Sequence, residues 1–86
     1  MKIVKFTQTA CQPCKVLEMM MGQMGAAVDE SLLLDSDQAL TEAKEQFGVM
    51  STPTLILFDD AGVELQRTVG IHPPSISAIL AAAGKL

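Results

Sequence analysis

Cys11-Gln12-Pro13-Cys14 holds both cysteines of the chain. Side chains at i and i+3 share a helix face, with Cβ atoms about 5–6 Å apart. A modest tightening brings them to the ~3.5–4.5 Å that a disulfide requires, so such a pair can close and reopen without unfolding anything. The apolar stretch Ile3-Val4-Lys5-Phe6 precedes the motif, and the residues after it read as a helix. Cys11 then falls at the helix N-terminus, where unpaired backbone N–H groups and the macrodipole favour an anion. That anion is the thiolate, the form that attacks disulfides. Two other readings stand beside reversible thiol–disulfide chemistry. Zinc wants four ligands, and His72 is the only histidine, so a metal site would need carboxylates or a second chain. A purely structural disulfide would close a very short loop and contribute little entropy. A CxxC near a βαβ pattern favours redox chemistry.

The elements that position the motif can be read from periodicity. Residues 2–6 form a strand and residues 11–24 a helix, in which Leu17, Met20, Met21 and Met24 share one face. Methionine fills core gaps, so that face packs inward. Gly25 can stop the helix, and Gly22 weakens its end. Residues 31–34 make a second strand, apolar enough in Leu32-Leu33-Leu34 to be covered on both faces. Ser36 or Asp37 caps a helix that runs to Phe47, with Leu40, Ala43 and Phe47 inward and Gly48 as its stop. Residues 54–58 form a third strand, Asp59-Asp60-Ala61-Gly62 a turn, and residues 63–69 a fourth strand. There Val63, Leu65 and Val69 alternate against Glu64, Gln66 and Thr68, which predicts an apolar inner face. Pro73-Pro74 opens a last helix with Ile76, Ile79, Leu80 and Ala83 on one side, and His72 precedes it as a loop residue.

The order β-α-β-α-β-β-α predicts an α/β protein with a four-stranded mixed sheet and helices on both faces. Right-handed crossovers make the first two strand connections parallel, and a hairpin ends the sheet. Ligands gather at the carboxyl ends of parallel strands, the edge on which the CxxC falls. Eighty-six residues predict a single domain, 1–86, with a modest core built without Trp or Tyr. The net charge of −4 argues against nucleic acid as a partner. Lys2, Lys5 and Lys15 precede every acid, so the CxxC sits in the one locally basic stretch, and Lys5 and Lys15 are candidate modulators of the thiol pKa. No apolar run is long enough to span a membrane. The N-terminus has no apolar signal-peptide core, which predicts a cytoplasmic protein. In that compartment a surviving CxxC is more often catalytic or metal-binding than structural.

Pro53 stands immediately before an apolar strand, where its missing N–H marks a strand start or a bulge. Together, Cys11-Gln12-Pro13-Cys14-Lys15 after the first strand, Thr52-Pro53-Thr54-Leu55 before the third and Val69-Gly70 before the last helix resemble the thioredoxin family over nearly the whole chain. Length and element order are closer to a glutaredoxin-sized member. The resemblance implies a thioredoxin-like fold and a protein disulfide oxidoreductase. Cys11 is then the exposed nucleophile and Cys14, one turn inward, the resolving cysteine of a redox-active Cys11–Cys14 disulfide. It implies a cis peptide before Pro53, and Thr52 and Pro53 as substrate-binding residues that offer backbone groups to an extended segment. No cofactor and no metal are implied, because electrons arrive by thiol exchange from a thioredoxin reductase or glutathione. The partners are protein disulfides and the expected state is a monomer. Where the family has Trp before the first cysteine this chain has Ala10, and Lys5 replaces the family's buried acid. Lys5 could stabilise a thiolate or place its ammonium in solvent. Gln12-Pro13 is neither the Gly-Pro of thioredoxins nor the Pro-Tyr of glutaredoxins, and these two positions tune the potential. The alternatives are a glutathione-dependent glutaredoxin-like protein and a non-catalytic binding subunit of the same fold.

Overall fold

Ile3, Val4, Phe6 and Thr7 are all buried, which places the first strand in the middle of the sheet. In the computed structural model, which describes residues 1–86, the elements are β1 (Lys2–Thr7), α1 (Gln12–Met24), β2 (Glu30–Leu33), α2 (Asp37–Phe47), β3 (Thr54–Phe58), β4 (Glu64–Val69) and α3 (Pro73–Ala82). The strands are ordered β2-β1-β3-β4 in a four-stranded mixed sheet. Each side of β1 faces its own core, because successive side chains point to opposite faces. Ile3 joins Leu17, Met21, Leu55, Leu57, Ile76, Ile79 and Leu80 under α1 and α3. Val4 and Phe6 join Leu34, Ala43, Val49 and Ile56 under α2. Met20 and Met24 pack against the first core, as the one-face reading of α1 requires. Gly22 does not end that helix, which continues to Met24 and closes on Gly25 in the left-handed region, φ 68°.

Only the first crossover gives a parallel pair. β1 and β2 run parallel, but β3 runs antiparallel to β1, with Phe6 opposite Thr54 and Lys2 opposite Phe58. The second parallel connection expected from the sequence is therefore wrong, and the path of α2 explains it. This helix starts at Ser36, whose Oγ accepts from the Ala39 N–H at 3.1 Å. It ends over the far side of the sheet, where the Arg67 guanidinium of β4 donates to the carbonyls of Phe47 and Gly48. Eleven residues of helix extend about 16 Å, close to the ~14 Å spanned by three strand spacings. The helix crosses the sheet instead of descending along it. The chain therefore re-enters at the edge it left, and β3 must run back.

Three further expectations fail for local reasons. β2 is an edge strand and not covered on both faces: Leu33 is 55% exposed. The strands buried on both sides are the central pair, β1 and β3. Leu40 lies outward on α2, while Ala43 is buried and Phe47 packs between Phe6 and Phe58 at ring distances of 5.3 and 5.8 Å. In β4 the alternation does not point the apolar residues inward. Phe58 pairs with Glu64 but Leu57 pairs with Gln66, so Leu65 is the extra residue of a bulge. Thr68 is the buried residue, and Val63, Leu65 and Val69 face outward.

Candidate functional site

The antiparallel turn of β3 builds the site. β1 ends where β3 begins, so the loop 8–11 leaving β1 meets Ser51-Thr52-Pro53 entering β3. The Thr52–Pro53 peptide is cis, Pro53 is buried, and its carbonyl accepts from the Gly70 N–H at 2.8 Å. The segment after β4 is thereby fastened to the same edge.

Cys11 is the N-cap of α1, with extended backbone, and its Sγ accepts from the Cys14 N–H at 3.2 Å. The sulfur therefore occupies the place a Ser or Asp oxygen takes in other helix caps. Cys11 and Cys14 are joined as a disulfide with Cα atoms 5.3 Å apart. Cys14 shares a face with Leu17 and Met21 and turns into the α1 core. In this oxidised form Cys11 is itself largely covered, at 8% exposure against 2% for Cys14. Cys11 is thus buried in this form and not exposed as the sequence predicts, because its sulfur is tied to Cys14 and covered by Thr52. Gln12 and Pro13 are exposed, with Pro13 in the first turn, where an N–H would lack a helical partner.

Thr52 faces the disulfide across the cleft. Its hydroxyl lies 3.4 Å from Cys11 Sγ, and its carbonyl oxygen 3.7 Å from the same sulfur. The hydroxyl also donates to Gln8 Oε1 at 2.7 Å, and Gln8 Nε2 donates to the Leu34 carbonyl at 3.2 Å. Thr9 fastens the loop from the other side, giving its N–H and hydroxyl to Asp35. Those two bonds, the hydroxyl first, hold the Asp35 carboxyl below the usual carboxylate range. Gln8, Thr9 and Asp35 are supporting residues that the sequence did not disclose. The one available signal was that Gln8 and Thr9 fall in the short loop between β1 and the motif.

The lysines are arranged differently from their order in the chain. Lys5 lies on the α1 side of the sheet, its side chain 12% exposed, and its ammonium pairs with Glu18 at 3.1 Å. Lys2 pairs with Glu30. Of the basic stretch, only Lys15 is exposed and outside every ion pair. No group of three or more His, Cys, Asp or Glu converges in a geometry suited to a metal ion. No helix is long and apolar enough to cross a membrane.

A sheet of this order with a dithiol at the N-terminus of α1 and a cis-proline beside it defines the class: a thiol–disulfide exchange protein of thioredoxin fold. A model of the thioredoxin family matches residues 1–82. A prophage-derived thioredoxin-like protein of Bacillus subtilis is 32% identical over 80 residues, which cover 93% of this chain and 95% of that protein. A thioredoxin of Chlamydia muridarum is 41% identical over 70 residues, 80% of this chain and 68% of that protein. Among solved structures, a thioredoxin of Malassezia sympodialis aligns with a TM-score of 0.69 over 93% of this chain and 71% of that one, at 20% identity, a likeness of fold. The chain belongs to the thioredoxin family, and it is a thiol–disulfide oxidoreductase.

Proposed function

We propose that the chain, acting as one domain, reduces protein disulfides with Cys11 as the attacking thiolate and Cys14 as the resolving thiol. The observation that carries this reading is the cap: Cys11 Sγ sits on the free N–H groups of α1 and accepts from Cys14 N at 3.2 Å. The same donors and the helix dipole would stabilise its anion. In the reaction, Cys11 thiolate attacks a substrate sulfur and forms a mixed disulfide, releasing the other substrate sulfur as thiolate. Cys14 thiolate then attacks Cys11 and releases the second substrate sulfur, so the two electrons end on the substrate and the Cys11–Cys14 disulfide forms. Thr52 supports strand-like docking of the substrate, because its backbone N–H has no hydrogen-bond partner within the chain. Pro53 holds that segment against the cleft. Gln12 and Pro13 are the exposed residues between the sulfurs and set the potential with Lys15. Lys5 acts at most indirectly, since Glu18 offsets its charge.

Reoxidised enzyme would be reduced by a dithiol reductase of the cytoplasm without a bound cofactor. This is favoured over glutathione by the similarity to proteins named thioredoxin and by Lys5 being engaged. Cys11→Ser should abolish turnover of a protein disulfide in a reductase-coupled assay. Cys14→Ser should accumulate a mixed disulfide through Cys11, seen by mass spectrometry. An active Cys11→Ser variant, or no adduct with Cys14→Ser, would overturn the assignment. Faster coupling to glutathione than to thioredoxin reductase would reassign the reductant.

A further inference from the structure

Thr52 holds two groups of opposite preference against Cys11, and Gln8 stands where it can choose between them. The Thr52 carbonyl, 3.7 Å from Sγ, can accept from a thiol but only repels a thiolate. The Thr52 hydroxyl, 3.4 Å away, can donate to a thiolate. A hydroxyl has one proton to give, and here it has two acceptors.

Gln8 decides where that proton points. The Leu34 carbonyl can only accept, so the amide edge facing it at 3.2 Å must be the NH₂. The oxygen of the amide is thereby turned toward Thr52, 2.7 Å from its hydroxyl. Thr52 must therefore be the donor in that pair. In the disulfide its proton lies on Gln8 and away from sulfur.

We propose that Gln8 is a positioning residue that tunes the Cys11 thiolate by competing for the Thr52 hydroxyl proton. This rests on Cys11 being the attacking sulfur. When an incoming dithiol reduces the pair, the S–S bond breaks and the dithiol becomes a disulfide. Of its two protons, one goes to Cys14 and one to solvent, and Cys11 is left as thiolate. The Thr52 hydroxyl then rotates from Gln8 to Sγ, joining the Cys14 N–H as a second donor. The thiolate gains a charge-assisted bond, and Gln8 Oε1 loses a neutral one. Gln8 thus holds the thiol pKa above the value an unopposed hydroxyl would give. The other titratable groups on the surrounding elements are Cys14, Lys15 and Glu18 on α1, Lys5 on β1, Asp35 after β2 and Lys44 on α2, which lines the groove with Gln8 and Thr52 and is the same in every variant compared. Lys5 and Glu18 are paired with each other, and Asp35 is bound by Thr9. The β3 entry and Gly70-Ile71 bring none, and His72 lies against Ser75.

The test is the pH profile of alkylation of reduced protein by iodoacetamide, with the modified residue mapped by mass spectrometry. Gln8→Met removes the competitor and keeps the length; the Cys11 titration should move to lower pH by about half a unit to one unit. Thr52→Val removes the proton and keeps the shape; the titration should move to higher pH. Thr52→Ser should restore it. In a Thr52→Val background, Gln8→Met should have no effect. An equal Gln8→Met shift with and without the hydroxyl would mean a general disturbance of the loop and would overturn the relay, as would no shift at all. Alkylation confined to Cys14 would instead overturn Cys11 as nucleophile, and the relay with it.

Discussion

Two helices cover one face of the sheet and a single helix covers the other, and the halves of the site come from opposite sides of that divide. Cys14 belongs to α1, on the face where eight buried aliphatic side chains interlock. Thr52 opens toward α2, beside a groove lined by Gln8, Leu34, Leu40, Val49 and Met50. That second core has six buried members and leans on Phe47 and Phe58, which are only partly covered. The resolving sulfur is thus anchored beside the larger of the two buried clusters. The surface it works against is the less covered one, where an incoming chain can find room. The same fold can be stiff where two sulfurs must meet and open where a partner must enter.

Breaking the larger core should have the largest effect on stability. Ile79→Ala removes a fully buried side chain that α3 packs against α1 and the sheet and should cost about 3 kcal/mol, a large share of the total for a domain this small. Chemical denaturation would measure it. A loss below about 1 kcal/mol would mean the two faces are equally tolerant. A smaller effect is expected where α2 is held. Arg67 ties the Phe47 and Gly48 carbonyls to β4 and is gripped in turn by Glu64 at 2.6 Å. That hydrogen-bonded ion pair holds the Glu64 carboxyl below the usual carboxylate range. Because the cluster is partly solvated and screened, Arg67→Met should cost about 1 kcal/mol, and amide exchange should quicken at the end of α2 more than in α1. Uniform quickening in both helices would mean that the two faces of the sheet are held equally.

The smallest effect should appear in acid, where the end of the chain is tied to the start of β1. Lys85 after α3, and next the Ile3 N–H, hold the Asp29 carboxyl below its ordinary range. A carboxyl depressed in the folded state adds stability that is fully present above its unfolded pKa, about 3.9. That stability is lost as the pH falls through the lower folded value. Asp29→Asn should therefore flatten the stability–pH curve below about pH 4 and change little between pH 6 and 8. Parallel curves for the two proteins would show that the Lys85 contact is idle.

The sequence disclosed the parts of the site that chemistry restricts to few residue types. Two cysteines at helical spacing and a proline at a strand entrance can do few other things, and the element order followed from periodicity and turn residues. Direction and phase were hidden. Nothing in Asp37–Phe47 says that the helix crosses the sheet, and so nothing said that β3 runs back toward the amino end of β1. A bulge moves the partner of every later residue by one, so the pattern of Val63, Leu65 and Val69 named the wrong face. Charge counted along the chain misplaced Lys5, because Glu18 reaches it only through the turn of α1. Gln8 was invisible for a similar reason: its role depends on a carbonyl and a hydroxyl that arrive from Leu34 and Thr52.

The pairing of Phe6 with Thr54 ties the fate of the reaction centre to that of the whole molecule. The two segments that form the cleft leave from neighbouring rungs of the middle ladder, although about forty positions separate them in the chain. Prising them apart means tearing the hydrogen-bonded heart of the sheet, so no minor excursion can disarm the protein and leave it otherwise intact. Heat should erase reactivity and compactness at one and the same temperature.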